Sequence, residues 1–591
     1  MTVDEPREEV EIRGLPVSLG IEIGPAYVLE EEGIHFPQHR IPSAEVERQI
    51  QRLEEAWDRT IRQIEETRSA HPTGERQLLD DIIDIHLMLA KDIPKYTRQR
   101  SHKLIREDRL HAETAFHSAL QELAQRLGQS PLQRSEDVID IGNQVIRNLV
   151  GMDITQFDDI ESPVILVAED LSPSLTARLP KGKVLAFATT RGSRTSHTAI
   201  MARALEIPAV VGVPALLEAV GDGDTVVVDG DRGRVVVRPG EATLGHYRRR
   251  QVDATRRIQA QLRYRDLQAE TLDGFVIDLR ANIELPEEVE AVLAHGGRGI
   301  GLYRTEFLYL NRADLPSEEE QYRAYRAVVE ALAPNPVTIR TLDIGGDKFL
   351  SSIGAPKEMN PFMGWRGIRF CLEQPEIFHT QLRAILRASR HGNLSIMFPM
   401  IAEARELRLA AAALEAMKRE LEEEGVAFNK EIAVGAMIEV PSAALMVGAL
   451  APLVSFFSIG TNDLVQYTMA ADRGNERTAY LYNPLNPGVL RLVKEVVGGA
   501  HSAGKRVCMC GEMAGELAFS LVLVGLMVDE LSMSPIAIPE VKRFIRSISL
   551  ADAVPIAERA LQMTEPDDIR DFLEECTCEL APWTAELIAA D

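Results

Sequence analysis

The chain has 591 residues, too many for one core, so about three to four domains are expected from typical domain size. Its formal net charge of -25 would repel nucleic acid and anionic lipid, and no window approaches the ~18 continuous apolar residues of a membrane span. Five cysteines do not make a disulfide framework and the acidic opening at 1–11 lacks the apolar run of a signal peptide, so the expected compartment is the cytoplasm.

Residues 1–12 read as a disordered acidic tail. The stretch 13–29 alternates glycines with short apolar runs and reads as one or two strands, after which Pro37 and Pro42 close a loop. From 43 to 69 the apolar positions Val46, Ile50, Leu53, Trp57, Ile61 and Ile64 recur at helical spacing. Further helical patterns cover 75–100, 112–127 and 135–150, which together predict a bundle of long helices.

At Pro163 the texture changes to short β-rich runs at 164–167, 183–188, 209–211 and 225–228, separated by Pro and Gly turns and by one helix around His197. This predicts a compact α/β domain completed by the 13–29 strands, with the helical block inserted into it. A charged helical stretch over 241–270 reads as a linker. Beyond 272, eight strand candidates lie at 275–283, 299–303, 337–342, 394–398, 433–438, 456–459, 506–509 and 529–532. Each is followed by a helical pattern, as a (β/α)8 barrel requires.

His197 sits where the loop from Thr189 becomes a helix whose apolar stripe begins at Ile200, Met201 and Ala204. First-turn amides and the helix dipole disfavour an imidazolium and favour an attached dianion, so the ring suits a nucleophile that is neutral and then carries a phosphoryl group. The bland alternative is a surface histidine in a polar turn.

In barrels of this kind chemistry gathers at the C-terminal strand ends. Here those ends carry Arg304, Arg340, Glu439, Asn462, Asp463 and Cys510. Two arginines can fork onto phosphate oxygens, Glu439 and Asp463 are hard ligands suited to Mg2+, and Arg473 can add a contact to phosphate or carboxylate. Each arginine taken alone could equally be a salt-bridge partner. Cys510 ends the seventh strand and can serve as a proton donor or acceptor, whereas Cys508, two residues deeper, reads as core. A zinc site from Cys508, Cys510, Cys576 and Cys578 is disfavoured, because Cys-x-Cys is tighter than the usual structural spacing.

Several stretches together carry a family resemblance. Thr195 to Arg203 is similar to a phosphohistidine signature; 301–308, 340–348, 360–369, 437–441, 458–467 and 510–515 are similar to the barrel motifs of the same family. In family order from Gly14 to near Ile548, the chain resembles enzyme I of the bacterial phosphotransferase system, the phosphoenolpyruvate-protein phosphotransferases. The resemblance implies an α/β multidomain fold. A swivelling phosphohistidine α/β domain would occupy 1–34 and 152–245, with an inserted helical phosphocarrier-docking domain at 35–151. A helical linker at 246–270 and a TIM barrel at 271–591, for phosphoenolpyruvate binding and dimerisation, would follow.

It further implies His197 as nucleophile, Cys510 as proton donor, and Arg304, Arg340, Asn462, Asp463 and Arg473 as substrate-binding. Mg2+ would sit on Glu439 and Asp463, and the partners would be a small histidine-containing phosphocarrier protein and a second copy of the chain. Two places depart from the family pattern: Gly192-Ser193-Arg194 before the phosphohistidine motif, and Ile139 where an Asp-x-Arg-Asp pattern has arginine. The alternatives are a relative of pyruvate phosphate dikinase or phosphoenolpyruvate synthase, which would need a nucleotide-binding domain, and a phosphoenolpyruvate-sensing regulatory protein.

Overall fold

The computed structural model describes residues 8–588 except 19, 30–39, 71–86, 88–89, 91–93, 129–134, 152–159, 161, 172–181, 193–201, 203–206, 310–314, 345–362, 473–474 and 476. His197, Arg473 and most of the helical pattern at 75–100 lie outside the described residues. The chain divides into two compact units, 1–258 and 259–591.

The first unit is built on an eight-stranded sheet. Its strands are β1 (Val10–Arg13), β2 (Leu15–Ser18), β3 (Ile21–Leu29), β4 (Val164–Ala168), β5 (Val184–Thr189), β6 (Ala209–Val211), β7 (Thr225–Asp229) and β8 (Arg234–Val237), in the spatial order β1-β8-β7-β3-β4-β5-β6-β2. β3 serves two ladders: Ile21 to Pro25 pairs antiparallel with β7, and Ala26 to Leu29 pairs parallel with β4. The changeover falls between Pro25 and Ala26, where a proline without an N–H can end one ladder at little cost. β4, with all five residues buried, reads as the uninterrupted apolar run of a strand covered on both faces.

The expected disordered tail through residue 12 is corrected here, because Val10–Arg13 is strand β1, antiparallel to β8. Val10 and Ile12 pack onto the sheet's core while Glu9 and Glu11 alternate with them, a two-residue period too short to stand out in an acidic segment. Glu9 also accepts from the Gly240 N–H at 2.6 Å and from the Thr243 hydroxyl.

Between β3 and β4 lie α1 (Val46–Ala70), α2 (Pro94–Glu107), α3 (Ala112–Gly128) and α4 (Ser135–Val150). Their common core centres on Trp57, which meets Phe116 edge-on at 5.4 Å and donates its indole N–H to the Ala90 carbonyl at 2.9 Å. Ile139 lies on the exposed face of α4. The helix expected as a linker is α5, Glu241–Leu262. Its first half packs on the sheet, with Tyr247 buried against Ile21, Val227 and Val236 and Arg250 paired with the buried Asp229.

The second unit is a closed barrel of eight strands, each parallel to its neighbours: β9 (Asp278–Ile283), β10 (Ile300–Tyr303), β11 (Val337–Arg340), β12 (Leu394–Phe398), β13 (Ala433–Ile438), β14 (Phe456–Ile459), β15 (Arg506–Met509) and β16 (Glu530–Met533). The α/β multidomain fold with a (β/α)8 barrel read from the sequence is therefore the fold observed. Outward side chains join the helices in the main core, and a small inner layer of Leu302, Met397, Met437, Cys508 and Cys510 fills the barrel axis with Phe456. Gly435 makes room for that layer, since a Cβ there would lie 2.4 Å from the Phe456 ring. Among the described residues no helix is long and apolar enough to cross a membrane.

Candidate active site at the barrel mouth

The parity that fills the barrel axis also decides what reaches its mouth. One step beyond Met437 and Cys508 in the inner layer, the residue after β13 is Glu439 and the residue after β15 is Cys510, itself a member of that layer, while β11 ends in Arg340. β14 passes through Gly460 directly into the helix Thr461–Met469, which puts Asn462 and Asp463 in that helix's first turn. Arg304 follows β10 and remains at the half-exposed rim.

Arg340 is almost fully buried and held from two sides. Its Nη2 donates to Glu306 Oε1 at 3.0 Å, and its Nη1 lies 3.1 Å from Asp343 Oδ2. The same Glu306 oxygen accepts the Asp343 N–H at 2.9 Å, which ties the backbone after β11 to the arginine it serves. Arg340 Nε is buried and finds no partner among the described residues, a donor left over for a ligand.

Arg366 completes the cluster. Its Nη2 reaches Asp343 Oδ2 at 2.8 Å, its Nη1 lies 3.2 Å from Asp463 Oδ1, and the Tyr467 hydroxyl is 3.1 Å away. Gly367 makes the approach possible, since its φ of 57° suits glycine and a Cβ would lie 3.0 Å from Asp343 Oδ1. Burial would raise the Asp343 carboxyl, but Arg366 and Arg340 outweigh it and hold the group below its ordinary range.

Glu439 is different. It is buried and accepts the N–H of Met400, a residue in the left-handed region at φ 56°. Burial, followed by the neighbouring carboxylates of Asp343 and Asp463, pushes its pKa well above the usual carboxylate range. Asp343, Glu439 and Asp463 each offer an oxygen, and these atoms lie within 4.8 Å of one another. Three hard oxygen donors, two of them buried, converge closely enough to fit a divalent cation.

Cys510 lies beside this cluster. Ser458 donates its hydroxyl to the Cys510 sulfur at 3.2 Å, and the thiol reaches the Ile459 carbonyl at 3.4 Å. Burial raises the Cys510 thiol, with the Ser458 hydroxyl opposing, so the group stays protonated at neutral pH.

The structure thus brings Arg340, Glu439, Asn462, Asp463 and Cys510 to one mouth, with Arg304 on its rim. The sequence reading included Asp343, Arg366, Glu306 and Ser458 in its family-like stretches at 340–348, 360–369, 301–308 and 458–467 but gave none of them a role at the site. Asp343 stands three residues after Arg340 and could have been found by that spacing, whereas Arg366 arrives from a loop with no periodic signal.

Three family profiles match the chain: "PEP-utilising enzyme, N-terminal" over 13–132, "PEP-utilising enzyme, mobile domain" over 160–233 and "PEP-utilising enzyme, PEP-binding domain" over 259–550. The chain is 41% identical over 574 residues to the phosphoenolpyruvate-protein phosphotransferase of Staphylococcus carnosus, covering 96% of this chain and 99% of that one. It belongs to the phosphoenolpyruvate-protein phosphotransferase family. The enzymes of that name from Haemophilus influenzae and Bacillus subtilis are 41% and 42% identical, each match covering 96% of this chain and 99% of the relative. Every mouth residue described above falls within the PEP-binding match, and His197 falls within the mobile-domain match.

Proposed function

We propose that this phosphotransferase moves the phosphoryl group of phosphoenolpyruvate to its own His197 and then to a histidine of a small phosphocarrier protein, the first step of sugar uptake by a phosphotransferase system. The observation that carries the reading is the convergence of arginines and carboxylates on the barrel mouth, in a chain that aligns end to end with enzymes of that activity.

In this reading Arg304, Arg340, Arg473 and the Asn462-Asp463 segment hold the phosphate and carboxylate of the substrate. The buried guanidinium of Arg340 is fixed before substrate arrives, so little reorganisation opposes charge stabilisation in the transition state. Glu439 and Asp463 would hold Mg2+, and Asp343, already committed to Arg340 and Arg366, keeps both guanidinium groups aimed. When bound, the cation supplies positive charge against the phosphate oxygens.

The His197 ring nitrogen forms a bond to phosphorus as the bond from phosphorus to the enol oxygen breaks. The enolate that leaves takes a proton at its terminal carbon from Cys510, giving pyruvate, and Ser458 then donates to the thiolate left behind. The domain division at 1–34 with 152–245, 35–151, 246–270 and 271–591, a cytoplasmic location and a homodimer formed through the barrel unit belong to the same proposal.

Incubation with phosphate-labelled phosphoenolpyruvate and Mg2+ tests it. We expect an acid-labile label that is absent from His197→Ala and passes to a histidine phosphocarrier. Labelling from ATP, or label retained in His197→Ala, would overturn the assignment.

A further inference from the structure

Arg304 does not stand alone on the rim. Its Nη1 donates to Glu284 Oε1 at 2.7 Å. Glu284 is the first residue after β9, which neighbours β10 in the barrel, so the two side chains leave adjacent strand ends. The turn that carries Glu284 is held from below. Glu288 accepts the N–H groups of Glu284 at 2.6 Å and Leu285 at 2.8 Å, and Pro286 restricts the backbone that follows. The carboxylate is therefore built to face that guanidinium.

A negative charge on a substrate-binding arginine has a cost for an anionic substrate. It occupies one of the five guanidinium N–H groups and opposes the incoming charge across a short, partly wet distance. Its benefit belongs to the empty site, where Glu284 is the acid at contact distance from Arg304 among the described residues.

We propose that Glu284 is a charge gate on Arg304: it neutralises the guanidinium in the empty site and must be displaced or shared when the anionic group of the substrate arrives, which sets the affinity of the barrel mouth for phosphate-bearing anions. This rests on the reading that Arg304 binds phosphoenolpyruvate. Glu284 acts through the arginine, so its effect belongs in substrate affinity.

The test is Glu284→Gln in the full chain, with unaltered thermal unfolding as the check on folding. Titration with inorganic phosphate in the presence of Mg2+ measures anion affinity without turnover, and steady-state kinetics give KM for phosphoenolpyruvate. Removing the charge tightens phosphate binding and lowers KM by roughly three- to tenfold, the scale of one unit charge across a few ångströms of partly screened medium. Glu284→Ala moves both in the same direction. Affinities that are unchanged, or weakened in both variants as loss of a positioning contact would cause, overturn the gate. Arg304→Gln separates the two layers: it weakens both ligands if Arg304 binds substrate. If Arg304→Gln leaves phosphoenolpyruvate binding intact, the reading of Arg304 falls and the gate with it; if it weakens binding while Glu284→Gln tightens nothing, the gate alone falls.

Discussion

The two ends of the barrel use the same kinds of charged residue for opposite purposes. At the N-terminal end, Arg280 grips Glu530 through both guanidinium nitrogens at 2.8 and 2.9 Å, Arg506 meets Asp278 at 2.7 Å and His501 meets Asp529 at 2.9 Å. Each of these acids has an arginine or histidine partner at contact distance, although burial still raises the Glu530 carboxyl above its ordinary range. At the C-terminal end three carboxylates crowd within 4.8 Å, and Glu439 among them has no arginine or lysine at ion-pair distance among the described residues. Burial cannot select for such crowding, because a buried unpaired carboxylate costs several kcal/mol. The crowding is tolerated at the mouth because burial and the neighbouring carboxylates shift Glu439 toward its neutral, protonated form, whereas the floor pairs its acids with bases.

The sharpest way to break this comparison is to remove one acid from each end. At the mouth, Asp463→Asn removes one of the crowded carboxylates and leaves Arg366 its contacts with Asp343. We expect label transfer from phosphoenolpyruvate to His197 to slow by at least about 10²-fold, the scale seen when one electrostatic contact to a reacting group is lost, while the thermal midpoint holds or rises. Near-normal transfer combined with a large drop in the midpoint would mean that the mouth is structural like the floor.

The barrel itself was legible in the sequence because each strand is a short β-rich run fenced by Gly, Pro or Asp. Runs such as 394–398, 433–438 and 506–509 coincide with β12, β13 and β15. Arg340, Glu439, Asp463 and Cys510 were legible for a second reason, since a barrel fixes which end of each strand faces the site. Contacts between distant parts of the chain were not. Arg366 meets Asp463 across 97 residues and Asp343 across 23, and although the stretch 360–369 resembles a barrel motif, its local pattern names neither partner. Strand β1 was missed for the same cause, because Val10 and Ile12 become a strand only when β8 offers its edge.

At the floor the expected loss is in stability. Glu530→Gln leaves the Arg280 guanidinium, with only 14% of its side chain exposed, facing a neutral amide. Breaking a buried pair from one side typically costs about 3–5 kcal/mol, and Arg506, 3.5 Å from Glu530 Oε1, loses part of its compensation as well. Denaturant unfolding should therefore shift by about 3 kcal/mol, while label transfer per folded molecule stays within about twofold. A variant that is stable but inactive would show that the floor reaches the chemistry, and the contrast between the two ends would fail.

A smaller effect lies under the rim turn, where Glu288 holds the backbone of Glu284. Desolvation raises its carboxyl to about 7 against two opposing N–H contacts, from an ordinary value of 4.5. Between those two values the folded chain binds a proton that the unfolded chain has released, so stability falls as pH rises through this window and levels off above pH 7. The full shift corresponds to about 3 kcal/mol, and partial solvent access at the turn reduces this to about 1–2 kcal/mol. Glu288→Gln keeps an oxygen for both N–H groups but cannot ionise. Its stability advantage over the parent should grow from near zero at about pH 4.5 to about 1–2 kcal/mol at about pH 8, measured by denaturant unfolding across that range. An advantage that stays flat with pH would mean that the carboxyl under the turn is solvated in solution, and that the turn holds Glu284 less firmly than its two short contacts indicate.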